Sequence, residues 1–341
     1  MNKSVITIAV LIGLIATGIV LSSNLPANNT DDDANTKTEA LASIEGTAAT
    51  ETAEPVAVEP VNMELTDEHL ATIENMIAIN QDVKPFDYPN DIYFANERVP
   101  IEDFEVRERL DREMLVNCFW HSNTMMYMMR STQWFPVIEP ILAEEGVPDD
   151  FKYLCVAESG LKQALSSAGA SGMWQFMKAT GTSYGLEIRS HVDERYHVEK
   201  STRAACKYLK AAKTRFGSWA LAAAAYNAGE GGISNQLKRQ HADNYYDLLL
   251  NQETARYVLR CVAIKEIMSN PQKYGFNLQQ DDFYPMQFHS EETVTTSIND
   301  LAQWAKDRGT NYKKLKYANP WLRDKELGNS SGKTYVIKIP Y

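Results

Sequence analysis

Positive charge is scarce in this chain. Its 341 residues hold 34 Lys and Arg against 45 Asp and Glu, for a net charge of −11. A protein that tracks phosphate backbones needs the opposite balance, so nucleic acid is excluded as a partner. Cysteine is scarce too: four residues are too few for a disulfide scaffold. Histidine occurs six times. His191, Asp193, Glu194 and His197 crowd together, yet they meet no ligand-spaced motif and read as a polar loop before a helix. No metal and no cofactor is expected. Alternating apolar residues are nearly missing before Val294, which excludes an all-β fold. Long apolar runs are missing as well, apart from one at the start.

That run is Val5 to Leu21, uncharged throughout and preceded by Lys3. It has the layout of an export signal or an uncleaved N-terminal membrane anchor, assigned here to residues 1–27. Residues 28–64 carry nine acidic side chains, one lysine and no aromatic residue. Such a stretch buries too little apolar area to offset the entropy of ordering it, and reads as a disordered acidic linker. No cysteine precedes Cys118, so lipid attachment near the N-terminus is excluded. The expectation is an exported protein of the periplasm or cell envelope, monomeric, touching a membrane only through its N-terminal segment.

Helical periodicity dominates from Thr66 to Met268. Residues 107–131 read as one long helix on Leu110, Met114, Asn117, Trp120 and Thr124. Ala205, Leu209, Ala212 and Phe216 step likewise, and Gly217 sits where a left-handed cap is wanted. Tyr257, Cys261, Ile264 and Met268 form a third stripe, stopped by Pro271. Met125, Met126, Met128 and Met129 read as core filler. Cys118, Cys155, Cys206 and Cys261 all fall inside helical stretches and read as small buried thiols.

The chemistry concentrates where Pro148-Asp149-Asp150 starts a helix that ends in Glu158, just before Ser159-Gly160. Glu158 follows Leu154 by four residues and Cys155 by three, so it shares their apolar stripe. Apolar neighbours and the negative end of the helix dipole should both raise its pKa. A carboxyl kept protonated near neutral pH is what acid catalysis of glycoside cleavage requires. Next comes AGASGMWQF (Ala168 to Phe176), a turn of small residues followed by a helix with Ser171 as its N-cap. Its small residues would let the backbone pass close to a bulky ligand, with Trp174 as a stacking face and Gln175 as an amide for sugar hydroxyls. AAAAYNAGEGG (Ala222 to Gly232) reads as an alanine-rich helix ending in Tyr226-Asn227 and then glycines.

The ordered segments AESGLKQALSSAGASGMWQF, DERYHVEKSTRAACKYL, ALAAAAYNAGEGG and NQETARYV resemble the lytic murein transglycosylases, nearest the membrane-bound D type. The resemblance implies a mainly α fold, with a lysozyme-like helical catalytic domain over residues 65–285. It implies that Glu158 is the catalytic acid. Ser166, Met173 and Gln175 would contact the sugars, Tyr226 and Asn227 would flank the acid, and Glu253 would line or support the groove. Two segments depart from the family pattern: Lys162-Gln163 replaces an Asn-Pro, and His197-Val198 replaces an Asp-Pro. The lipid-attachment cysteine of the D type is missing.

Only one carboxylate has a convincing setting, whereas hydrolytic glycosidases generally use two. The resemblance implies the alternative, in which Glu158 protonates the MurNAc–GlcNAc β-1,4 oxygen. The same residue then takes a proton back as a 1,6-anhydro ring closes, so that glycan strands of peptidoglycan are cut without water. A hydrolytic muramidase and an inactive peptidoglycan-binding scaffold are the competing readings. In the tail, Thr293–Ser297 and Tyr335–Ile339 read as strands around the helical patterns 298–308 and 312–317. With Asn319-Pro320-Trp321 they resemble a LysM-like glycan-binding module over residues 290–341, set against a purely structural cap.

Overall fold

The computed structural model describes residues 66, 85–89 and 91–341; the expected export segment and acidic linker lie outside them. Strands β1 (Ile92–Phe94) and β2 (Glu97–Val99) pair antiparallel through a turn at Ala95 and Asn96, both at positive φ. Sequence pattern does not announce this hairpin. Three residues per strand are too few for alternation to register, and Ala-Asn stands where Asn-Gly would signal the turn. Its role is visible in its contacts. Glu97 accepts the Trp219 and Ala220 backbone N–H groups at 2.7 and 3.0 Å, at the positive end of a helix. Asp150 accepts the Ala95 N–H at 2.7 Å and pairs with Lys265 at 2.8 Å.

The described residues form ten α-helices. The first eight are α1 (Phe104–Phe119), α2 (His121–Glu144), α3 (Phe151–Ser159), α4 (Lys178–Ser183), α5 (Val198–Phe216), α6 (Trp219–Ala228), α7 (Glu230–Gln240) and α8 (Gln252–Ser269). Helix α8 is the hub, buried over most of its length and packed on α1, α3 and α6. Ala222–Ala225 of α6 are fully buried, because side chains of one carbon let neighbouring helices close in. Gly217 caps α5 at φ 80°, as its position predicts.

Several expectations are corrected. The single helix over 107–131 is two, because Trp120 leaves helical geometry at φ −86° and ψ 60°. Thr124 Oγ1 donates across the break to the Asn117 carbonyl at 2.6 Å. Leu110, Met114, Asn117 and Thr124 stay buried on both sides of it, so the apolar phase hides the break. Of the glycines after Tyr226-Asn227, Gly229 at φ 78° separates two helices, and Gly231 and Gly232 lie inside α7. Of the four methionines, only Met128 is buried and Met125 is 40% exposed, so the group is not uniform core filler. The four cysteines are free and buried.

The C-terminal module follows as β3 (His289–Val294), α9 (Leu301–Lys306), α10 (Tyr312–Ala318) and β4 (Tyr335–Pro340). Strand β3 pairs antiparallel with β4 from His289–Pro340 to Val294–Tyr335. It therefore starts four residues before the expected Thr293, because partner register rather than composition sets its span. Val192 and Tyr196 of the helical domain are built into the module's core beside Leu301, Leu315, Trp321 and Ile337. The His191–His197 stretch is thus a seam between the two parts. The Asp193 N–H donates to the Trp321 carbonyl and the Arg323 N–H to the His191 carbonyl, both at 2.9 Å. Trp321 stacks between His197 and Tyr335, with centroids 5.6 and 5.7 Å away.

Candidate functional site

Glu158, at the end of α3, is met by Tyr257 of α8; the loop over residues 164–177 meets α3 one turn earlier, at Cys155, and meets the end of α6 through Trp174 and Tyr226. Helix α3 ends at Gly160, whose φ of +60° requires glycine and whose Cβ would come within 2.6 Å of the Tyr127 ring. That cap leaves Glu158 in the last turn, behind fully buried Leu154 and Cys155.

The Glu158 carboxylate receives a hydrogen bond at Oε1 from the hydroxyl of Tyr257. Burial pushes its pKa up to about 7; Tyr257 and the Arg260 guanidinium oppose the rise, and Glu253 adds to it. Arg260 exerts only part of its pull, being matched by Glu113 of α1 at 3.1 Å. Glu113 is 1% exposed and also meets Arg112 and Arg256. Tyr226 and Tyr257 are themselves pushed far above their ordinary pKa, by burial first and by the Glu158 charge second. Both phenols therefore stay neutral donors. Tyr257 is the residue that sequence reasoning missed: its place in the α8 apolar stripe marks it as core, and no pattern reveals that its hydroxyl meets Glu158.

The remaining expected site residues are distributed as follows. Tyr226 packs against the rings of Tyr208, Phe176 and Trp174, and its hydroxyl donates to the Trp174 carbonyl at 2.7 Å. Asn227 accepts from Thr254 Oγ1 at 2.8 Å, which leaves its NH2 without a protein acceptor among the described residues. Gln175, at φ 49°, turns its amide inward to the carbonyls of Gly172 at 2.7 Å and Ala164 at 3.2 Å. Ser166 closes its own turn by accepting the Ala170 N–H at 2.9 Å. Met173 is 1% exposed, and its carbonyl faces the Cys155 thiol. Glu253 is exposed in the first turn of α8.

Three expectations about this loop are corrected. Trp174 is no stacking face: it is fully buried and its indole N–H donates to Thr202 at 2.9 Å. Ser171 caps no helix; it is buried in bridges with Leu165 and Phe176, and α4 begins only at Lys178. Gly172 does serve a close approach, but to protein. A Cβ there would lie 1.9 Å from the Arg195 carbonyl. Arg195, paired with Asp193 at 2.7 Å, holds the loop by donating to the carbonyls of Gly169 at 3.0 Å and Phe176 at 3.1 Å. Among the described residues no group of three His, Cys, Asp or Glu is placed to hold a metal ion.

Comparison with known proteins agrees with this geometry. Residues 136–249 match the family described as Transglycosylase SLT domain, and residues 290–341 match the Soluble lytic transglycosylase C-terminal LysM-like domain. The chain is 30% identical over 245 residues to the Membrane-bound lytic murein transglycosylase D of Escherichia coli K12, and equally to that of Escherichia coli O6:H1. Each alignment covers 69% of this chain but 52% of the relative, so the chain spans about half the length of the curated relatives it matches.

Proposed function

We propose, for a chain that carries a transglycosylase SLT domain and a LysM-like C-terminal domain, that it cleaves the MurNAc–GlcNAc β-1,4 bond of peptidoglycan without water. One observation carries the reading: a single carboxyl, Glu158, held near pKa 7 by burial and met by the hydroxyl of Tyr257. Tyr257 occupies Oε1, so the proton of neutral Glu158 sits on Oε2 and is free for the glycosidic oxygen. As the bond breaks, the substrate's N-acetyl oxygen supports the positive anomeric carbon. The new carboxylate is met by the Tyr257 hydroxyl, a donor already in place when the charge forms. Glu158 then removes the proton of the muramic C6 hydroxyl, whose oxygen closes the 1,6-anhydro ring. Acid and base are one residue, and no atom of water enters.

The flanking residues divide the labour. Tyr226 spends its hydroxyl on the Trp174 carbonyl and so acts as a positioning residue for the loop. Asn227 keeps a free NH2 and is the donor for the substrate's N-acetyl group. Ser166, Gln175 and Met173 shape the loop wall of the sugar groove, and exposed Glu253 lines its other side. The C-terminal module binds the same polymer while also completing the core around Val192 and Tyr196. We place the protein at the cell envelope, with Val5–Leu21 as its export or anchoring segment; among the described residues no helix is long and apolar enough to cross a membrane.

Mass spectrometry of the muropeptides released from purified sacculi tests the reading. Products carrying 1,6-anhydro ends, lighter by one water than hydrolytic products, are expected. Reducing MurNAc ends would replace the proposal with a hydrolytic muramidase.

A further inference from the structure

Beside the acid-bearing helix lies a crevice of about 340 Å³ between the helical domain and the C-terminal module. Its walls hold Arg130, Lys162 and Lys316 and no carboxylate, in a protein of net charge −11. Trp134, Tyr284 and Tyr317 supply aromatic faces, and Tyr317 is 63% exposed. Gln163 lines the same space, and both polar atoms of its carboxamide are buried without a hydrogen-bond partner. Leaving such a group unpaired costs roughly 1–3 kcal/mol, so a fold that keeps it invites a ligand to satisfy it. Lys162 has no carboxylate partner among the described residues. Lys316 donates to the carbonyls of Leu322 and Asp324 and lies 5.6 Å from the Tyr312 ring centroid, with no carboxylate salt bridge among the described residues.

The crevice adjoins the segment that carries Glu158. Leu161, Lys162 and Gln163 follow Glu158 directly along the chain, and Arg130 donates to the Gly160 carbonyl at 2.9 Å. Met173 lines the crevice, while the next carbonyl along, that of Trp174, anchors Tyr226. A carboxamide offers one donor face and one acceptor face, the complement of a peptide unit. Cations without carboxylates complement acidic groups.

We propose that this crevice binds the acidic peptide stem borne by the glycan strand in the groove, with Gln163 pairing a stem amide and Lys162 a stem carboxylate. The proposal rests on the glycan-cleaving reading above and adds a specificity site to it. The test uses the full chain and two substrates: strands with their peptides, and the same strands stripped of them by an amidase. Wild type should cleave the first with the higher kcat/KM. Lys162→Glu combined with Gln163→Leu should lower that ratio about tenfold, the loss of one charge-assisted hydrogen bond. Gln163→Leu alone should not lower Tm, because it removes an unpaired amide. In a second measurement, the free stem tetrapeptide is titrated into Glu158→Gln, and into Glu158→Gln carrying both crevice substitutions. Binding by the first and loss in the second are expected. Cleavage of both strands by wild type with equal kcat/KM, a ratio unchanged by the double substitution, or equal tetrapeptide binding by the two proteins would each overturn the proposal. If wild type cleaves neither strand yet the tetrapeptide binds as described, the cleavage reading fails and the crevice assignment stands.

Discussion

The surroundings of Glu158 and the seam around the His191–His197 stretch both desolvate carboxyl groups, and they treat them in opposite ways. At the seam, desolvation works against Glu199, but His197 and Lys338 outweigh it and hold the carboxyl well below its ordinary range. Glu187 is likewise desolvated, yet Arg189, Lys333 and Tyr335 bring it down. At Glu158, desolvation wins. Glu158 has a phenol and a guanidinium already matched by Glu113, and it ends near pKa 7. Burial alone therefore does not decide the state of a carboxyl; the count of unmatched cations beside it does. The seam uses charge to hold two parts together, and the surroundings of Glu158 withhold charge so that it keeps a proton.

The largest effect expected from this contrast is on activity. Glu158→Gln keeps the shape and removes the transferable proton, so muropeptide release from sacculi should fall by a factor of about 10³ or more. Seam carboxylates should give no comparable loss per residue in a turbidity assay.

Next comes removal of residues 290–341, which strips the cover from Val192 and Tyr196. Exposing two buried side chains at roughly 2 kcal/mol each should lower the Tm of the remaining domain by about 10 °C. A calorimetric scan checks this, and an unchanged Tm would make the seam dispensable.

The two regions should also respond oppositely to pH. Below pH 4.5 Glu158 is protonated both folded and unfolded, so it brings no penalty there. Between 4.5 and about 7 the unfolded chain ionises first, and stability is lost as pH rises. Glu158→Gln should therefore be more stable than wild type by about 2–3 kcal/mol at pH 8 and equal to it at pH 4, by urea unfolding. Glu199, with its pKa lowered, contributes stability that is present above the ordinary carboxylate pKa and lost as pH falls through the folded value. Glu199→Gln should cost about 1–2 kcal/mol at pH 7, with the difference shrinking in strong acid.

The smallest effect tests the fine balance around Glu158. Tyr257 donates to the ionised form of Glu158, so Tyr257→Phe should move the alkaline limb of the kcat/KM profile to higher pH. Freeing Arg260 with Glu113→Gln should move that limb the other way.

Much of this was legible in the chain. Glu158 sits where the stripe Leu154-Cys155 and the Ser159-Gly160 stop predict it, and Gly217 ends α5 as its position requires. What escaped reading has a common cause. Trp174 reads as an exposed sugar platform because indoles often are; only its bond to Thr202 shows that it is core. Gly172 reads as room for a ligand, whereas the Arg195 carbonyl fills that room. The break at Trp120 and the hairpin at Ala95-Asn96 leave no trace in periodicity, because the first preserves phase and the second is shorter than one period of evidence.

From the order of residues alone came the helical character, the acid at position 158, the β-α-α-β order of the tail and the small residues that demand close packing. These are local properties, carried by neighbours one to four positions apart. The tertiary structure alone decided that Tyr257, 99 positions away, donates to Glu158, that the His191–His197 stretch joins two parts, and that the Gln163 carboxamide is buried unpaired. A pKa and an unmet hydrogen bond both depend on which distant groups share a dry volume, and that is fixed only when the chain has closed on itself.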